Sequence, residues 1–432
     1  MNTKLPSPKL FAGRKFTPIF IAQFGGAFND NMLKFTLIML ATYNPVYTRD
    51  LQQLLGMDST TVVQQLNLVA SALFIVPFFI FSAVAGSMAD HYPKHKFIQY
   101  TKLAEVGVML IVVAGLMQES IYLLLLALFG LGVQSAFFGP LKYGVLPELL
   151  PDNKIAPATG FMQGATFVAI LAGTAAGGFL TKGEHAAAMN SLMITAVAVA
   201  GYLAARFIPE LKAAAPKRKT KWSPLSEFKE TLSYAFSHRK LALGVIGLSW
   251  FWLLGSVILA LLPPFVKEHM NANQDVATGL IIGAAIFIAI GAIVCGQVIK
   301  NNTKAGHAAL GIGATLIGFS MLPELHQTAE LYTLTTLPAM AAAYFVLIMA
   351  FAVSCGFFTV PLFAALQLAA DPSRKARTIA ANNIMNALFM VAGTLLTSVL
   401  IGQFTLTPNQ VFILLGILTM MLGVYFMKAL KK

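Results

Sequence analysis

Residues 59–96 read STTVVQQLNLVASALFIVPFFIFSAVAGSMADHYPKHK. No charged side chain lies between Asp58 and Asp90, and a short segment rich in Lys and His follows. An α-helix rises 1.5 Å per residue, so about 20 apolar residues cross a hydrocarbon core about 30 Å thick. The apolar part is long enough to span, and the polar turn marks where the chain leaves the membrane. It does not alternate in polarity and far exceeds the roughly 10 residues of a barrel strand, which excludes a β-barrel reading.

Working outward, the same pattern recurs. Uncharged stretches run from Glu119 to Lys142, Lys154 to Lys182, Glu184 to Arg206, Lys240 to Lys267 and Asp275 to Lys300. Glu330 to Asp371 holds one span, and Arg377 to Lys428 holds two, split at Thr407-Pro408-Asn409. Phe16–Thr42, Phe97–Met117 and Ala305–Leu322 complete a set of twelve. Of the 432 residues 57% are hydrophobic and 11% charged, against roughly 25% charged in a soluble domain. That balance excludes a disordered chain, a nucleic-acid-binding module and an ordinary cytosolic enzyme. The expected fold is an all-α membrane protein with twelve transmembrane helices. Cys295 and Cys355 sit in apolar runs without ligand spacing, so no metal and no disulfide framework is expected. The first apolar run carries Asp30 and Lys34 and has no cleavage-like end, so no cleaved signal is expected.

The net charge of +13 is a matter of topology. With the N-terminus inside, Arg49, Lys182 and Lys267 fall in outer segments and Lys34 within a span; the other 26 of 30 Lys and Arg fall inside. This split puts both termini in the cytoplasm. The longest basic segment, Arg206 to Lys240, contains Pro209, Pro216, Pro224 and the cluster Lys217-Arg-Lys-Thr-Lys221. It reads as a cytoplasmic linker, residues 208–240, between bundles at residues 1–207 and 241–432; binding of anionic lipid is the alternative. The halves echo each other. Phe137-Phe138-Gly-Pro140-Leu141 recurs as Phe357-Phe358-Thr-Val-Pro361-Leu362, Pro151-Asp152 as Asp371-Pro372, and Gly86 with Lys94 as Gly296 with Lys304. Two pseudo-symmetric six-helix bundles imply a transporter whose site lies near mid-membrane.

Charges and amides inside the spans are the candidates for that site. Phe28-Asn29-Asp30-Asn31-Met-Leu-Lys34 lies in the first span. Ionisable groups at membrane depth are costly and face a cavity or a partner. Asp30 sits roughly 20 Å from Phe16, with Lys34 one turn further on the same face. They offer an anion and a cation to a cargo, or a salt bridge that pins the helix. Glu105, in the third span, either couples a proton or pairs with a base such as Lys102 or Lys142. Lys142 and Tyr143, at a helix end loosened by Pro140, Gly144 and Pro147, either meet a phosphate or snorkel to the interface. Gln134, Trp252, Asn383 and Asn386 add amides and an apolar wall, with interhelical hydrogen bonding or packing as the plain alternative. In the loop, Gly86 allows close helix contact, and Asp90 with Lys94 and Lys96 forms a gate. The Asp90 carboxylate favours the positive N-terminus of the eleventh helix near Thr378. In the second copy Lys300 stands where Asp90 would, so the lock is one-sided. No P-loop, H-E-x-x-H or G-x-S-x-G occurs, so no enzyme and no cofactor is expected.

The loop Gly86-x-x-x-Asp90-x-x-x-Lys94-x-Lys96 resembles that of the major facilitator superfamily. Phe28-Asn-Asp30-Asn and Gly139-Pro-x-Lys142-Tyr143-Gly-x-Leu-Pro147-Glu148-Leu narrow the resemblance to its lysophospholipid transporter family. The resemblance implies a bacterial inner-membrane carrier, working by alternating access as a monomer. It would flip lysophosphatidylethanolamine and lysophosphatidylglycerol for re-acylation by a separate acyltransferase on the cytoplasmic side. Its seventh helix would carry a basic residue; here Leu241 to Val266 has none, with Leu259 near that place, which leaves Lys34 as the internal cation. A zwitterionic head group needs a cation for its phosphate and a carboxylate for its ammonium, and Lys34 and Asp30 supply both. The competing readings are a proton-coupled exporter of amphipathic drugs or small solutes, using Asp30 or Glu105, and a membrane scaffold.

Overall fold

The computed structural model describes residues 10–11, 15–181, 183, 185–216, 223–298, 304–326 and 330–429. Lys182, the cluster at 217–221 and Lys300 lie outside the described residues.

Among the described residues there are twelve long helices and no sheet. They are α1 (Thr17–Tyr43), α2 (Ser59–His91), α3 (Lys94–Met117), α4 (Ile121–Gly144), α5 (Ile155–Phe179) and α6 (Ala186–Arg206), then α7 (Arg239–His269), α8 (Gln274–Val298), α9 (Lys304–Met321), α10 (Ala342–Ala369), α11 (Lys375–Gly402) and α12 (Pro408–Ala429). Ten of these are long and apolar enough to cross a membrane. The other two, α1 and α9, are diluted by Asp30 and Lys34 and by Lys304 and His307. Helix α4 runs through Pro140 and breaks only at Val145, ahead of the short helix Leu146–Leu149.

The chain divides into two compact units that cut across the sequence halves. Unit 1 comprises Met1–Asp152, Val168–Ala235 and Ala370–Ile384; unit 2 comprises Asn153–Phe167, Phe236–Ala369 and Met385–Lys432. Helix α5 therefore begins in unit 2 and ends in unit 1, and α11 does the reverse.

Apolar packing in lipid has no water to drive it, so helices associate where small residues let backbones touch. In unit 1, Gly173 of α5 lies against the Phe28 carbonyl of α1, and a Cβ on Gly177 would sit 2.6 Å from the Met32 carbonyl. A Cβ on Gly132 of α4 would sit 2.7 Å from the Phe74 carbonyl of α2. Around these contacts Leu33, Leu37, Met109, Leu128 and Ile194 form a buried core. In unit 2, Cβ atoms on Gly313 and Gly306 of α9 would meet the carbonyls of Gly416 and Gly423 on α12 at 2.5 and 2.8 Å. Phe265 stacks on Phe319 with ring centres 4.8 Å apart, beside Phe412 and Tyr344. Leu110, Leu192, Val346, Leu395 and Met421 are more than half exposed, as expected of side chains whose solvent is hydrocarbon rather than water.

Candidate functional site

Two polar assemblies interrupt the apolar interior of unit 1. The first lies halfway along α1. Glu105 and Lys102, three residues apart on α3, form an ion pair with neither side chain exposed. The carboxylate accepts from Asn29 Nδ2 of α1 (3.2 Å) and from Gln134 Nε2 of α4 (3.2 Å). Asn29 also donates to the Ile194 carbonyl of α6 at 3.1 Å. Glycines make room for the lysine: a Cβ on Gly26 would sit 3.2 Å from Lys102 Nζ, and one on Gly201 would sit 2.9 Å from its Cε. A buried pair persists in a low dielectric only when its remaining lone pairs are satisfied, and the two amides do that here. Of the two bases expected for Glu105, the structure selects Lys102.

Asp30 sits one residue on from Asn29 and is half-buried. Its Oδ2 accepts from Ser135 Oγ at 2.8 Å, and Ser135 lies 3.4 Å from Gln134 Oε1. A hydroxyl has one proton to give, and the nearer carboxylate takes it. Among the described residues Asp30 Oδ1 has no partner. Lys34 is half-buried one turn away, and no ion pair joins it to Asp30 among the described residues. The helix-pinning salt bridge is thus not made; Asp30 turns across to α4 instead. Asn31 donates to the Ala27 carbonyl of its own helix at 2.8 Å. Lys142 is half-buried, with Nζ 5.6 Å from the ring centre of buried Tyr143. Ser135 went unnoticed in the sequence because a lone serine in a span carries no pattern.

The second assembly closes on the end of α2. Asp90 Oδ1 and Oδ2 accept from the backbone N–H groups of Ala376 and Arg377, both at 3.1 Å, at the first turn of α11. Those groups have no partner within the helix, and they carry its positive dipole end. Glycine permits the approach: a Cβ on Gly86 would sit 2.6 Å from Ala380 Cβ and 3.0 Å from Arg377 Cα. Lys94 is buried, pairs with Glu148 and lies 3.7 Å from Asp90. Lys96 is exposed and makes no ion pair among the described residues, so of the loop's two lysines only Lys94 enters the contact. A Cβ on Gly139 would sit 2.5 Å from Asn383 Nδ2, which places that amide against α4.

The largest element missed in the sequence is Arg377. It reads there as one more inner charge, yet its side chain is buried. Nη2 donates to Ser87 Oγ (2.7 Å) and to Glu227 Oε2 (2.8 Å), and Nη1 lies 3.0 Å from Glu230 Oε1. Both carboxylates come from the linker helix Pro224–Ser237. The linker's described residues up to Ala235 are therefore a packed part of unit 1. Ahead of that helix, Ala215 N donates to the Asp90 carbonyl (2.7 Å), and Leu211 N to His95 Nδ1 (3.0 Å). The legible signal was Glu227 and Glu230 at i, i+3 amid bases.

In unit 2 the amides satisfy hydroxyls. Thr359 Oγ1 donates to Gln163 Oε1 (2.7 Å), Gln367 Nε2 to Thr159 Oγ1 (2.9 Å), and Ser249 Oγ to Asn386 Oδ1 (3.0 Å). Trp252 packs edge-on to Phe251, with ring centres 5.6 Å apart. Asn383 and Asn386, one turn apart on α11, thus belong to different units. Among the described residues no cluster of His, Cys, Asp and Glu fits a metal ion.

Twelve long helices, glycine-mediated contacts and an acid on a helix N-terminus describe a multi-pass transporter fold, and the family comparison agrees. The sequence model of the Major Facilitator Superfamily matches residues 19–388, and the chain belongs to that family. Within it, the chain is similar to the lysophospholipid transporter LplT of Escherichia fergusonii, at 29% identity over 89% of this chain and 88% of that protein. It is similar to LplT of Serratia proteamaculans at 28% identity over 85% and 83%. In fold it matches the crystal structure of the human organic anion transporter MFSD10, with a TM-score of 0.71, 14% identity, and 97% and 100% of the two chains covered.

Proposed function

We propose that this chain is a secondary transporter that moves lysophospholipids between leaflets of the bacterial inner membrane by alternating access. The observation that carries the reading is Asp30: half-buried inside an apolar bundle, held by Ser135 of α4, with one carboxylate oxygen unpartnered among the described residues. Such a group costs stability unless a cargo or ion uses it. In this reading Oδ1 takes the ammonium of lysophosphatidylethanolamine, and Lys34, with Lys142 nearer the cytoplasmic end of α4, takes the phosphate. Crossing against these groups spares the head group the several kcal/mol or more of entering hydrocarbon. The similarity to LplT over most of the chain supports the same cargo. The contact of Asp90 with the α11 N-terminus serves as the gate that forms and breaks in the cycle. The carrier works as a monomer without cofactor or catalytic site, with both termini cytoplasmic, and hands its cargo to a separate acyltransferase.

The test is uptake of labelled lysophosphatidylethanolamine by vesicles holding the purified protein. Asp30→Ala and Lys34→Ala are each expected to slow uptake about ten-fold or more, the loss of one charge-assisted hydrogen bond of about 1.5–3 kcal/mol. Wild-type rates from both variants would remove these residues from the mechanism.

A further inference from the structure

The repeat of the gate loop ends on Lys304, the counterpart of Lys94. Lys94 is buried between two carboxylates. Lys304 has none: it is exposed and makes no ion pair among the described residues. His307, one turn further along α9, is exposed on the same face. Two basic residues in the first turn of a helix oppose its dipole, so helix stability does not account for them.

They stand at the mouth of a groove of about 460 Å³ between α9 and α10. Its deeper wall is Ala308, Gly311, Val353 and Phe357, with the hydroxyl of Ser354. Gly311 keeps the floor open, since a Cβ there would sit 2.9 Å from Ser354 Oγ. That hydroxyl gives its proton to the Ala350 carbonyl at 2.8 Å and so keeps lone pairs to accept from a ligand. From Lys304 to Gly311 the groove runs roughly 10 Å along the helix. The helices run antiparallel, with Gly311 beside Ser354 and Gly318 beside Leu347, so from the basic pair inward the groove passes Ala308 and Phe357 before it reaches Gly311, Ser354 and Val353. The charge count assigns this end of α9 to the cytoplasmic side, where anionic lipids concentrate and basic pockets between spanning helices hold their head groups.

We propose that the α9–α10 groove is a binding site for an intact anionic phospholipid of the surrounding leaflet. Lys304 and His307 hold the phosphate, and an acyl chain runs inward along Phe357 and Val353. The site is separate from Asp30 and does not depend on the cargo.

Native mass spectrometry of the full chain in mild detergent tests this with dioleoylphosphatidylglycerol, dioleoylphosphatidylcholine and glycerol phosphate. Wild type should retain phosphatidylglycerol over phosphatidylcholine. The double variant K304Q/H307Q should bind it about ten-fold more weakly. K304R/H307R should keep the affinity, and Ala308→Phe should lose it by filling the slot while leaving both basic side chains. Because both basic side chains are exposed, the melting temperature of K304Q/H307Q without lipid should match wild type, which separates lost binding from lost folding. Unchanged affinity in K304Q/H307Q overturns the proposal. So does equal retention of the two lipids by wild type, or competition by glycerol phosphate as strong as that of the whole lipid.

Discussion

Helix α11 enters unit 1 and α5 enters unit 2 through the same backbone contact, and the described residues finish the two joints with different contacts. In unit 1, Gly86 of α2 faces the Ala376 carbonyl and Arg377 Cα; in unit 2, Gly296 of α8 faces the Ala156 carbonyl and Pro157 Cα, with Cβ-to-carbonyl distances of 3.2 and 2.7 Å. Around Gly86 the joint is ionic: Asp90 on two N–H groups, Lys94 on Glu148, and Arg377 on Glu227 and Glu230. Around Gly296, among the described residues, it is closed by Thr359–Gln163 and Gln367–Thr159 hydrogen bonds. At the corresponding places of the first joint stand Gly139, Asn383 and Ile379. The repeat thus keeps the small residue that sets helix distance and is free to change what decorates it. Backbone approach has one solution, whereas a joint can be held by charge or by hydroxyl and amide.

The largest effect is expected from Arg377→Ala. It takes from buried Glu227 the arginine it pairs with and should cost on the order of 3–5 kcal/mol in unfolding experiments in detergent micelles. A loss no larger than that of an exposed arginine would show that the ionic joint is ornamental. Next come Gly86→Val and Gly296→Val, which overpack both joints and should each cost about 1–3 kcal/mol. A large effect at one and none at the other would end the claim of a shared backbone device. Smallest is Thr359→Val, which keeps the shape but leaves Gln163 without its donor, for about 1 kcal/mol. If it matched Arg377→Ala, the two joints would not differ in kind.

Much of the first joint was legible in the sequence. Asp90 was expected on the eleventh helix near Thr378 and meets Ala376 and Arg377. Phe16–Thr42 and Ala305–Leu322 lie within a residue of the helices Thr17–Tyr43 and Lys304–Met321. The rest was hidden for a physical reason. Arg377 pairs with a residue 150 positions away, and in one dimension it looks like every other basic residue at an inner boundary. Lys34 stands one turn from Asp30, yet nearness along a helix did not decide the partner; Ser135 on a different helix did.

How many long helices the chain forms, roughly where each begins and ends, and that Gly86 lets two of them touch, can all be read from the residues alone. Hydrocarbon thickness fixes the length of an apolar run, and a helix satisfies its own backbone hydrogen bonds without reference to its neighbours. Which charges turn inward and which counter-ions they take follows from packing: Lys102 for Glu105, Glu227 for Arg377, no carboxylate for Lys304 among the described residues. A buried charge survives only where several helices converge on it with matching donors and acceptors, and that convergence exists in three dimensions alone.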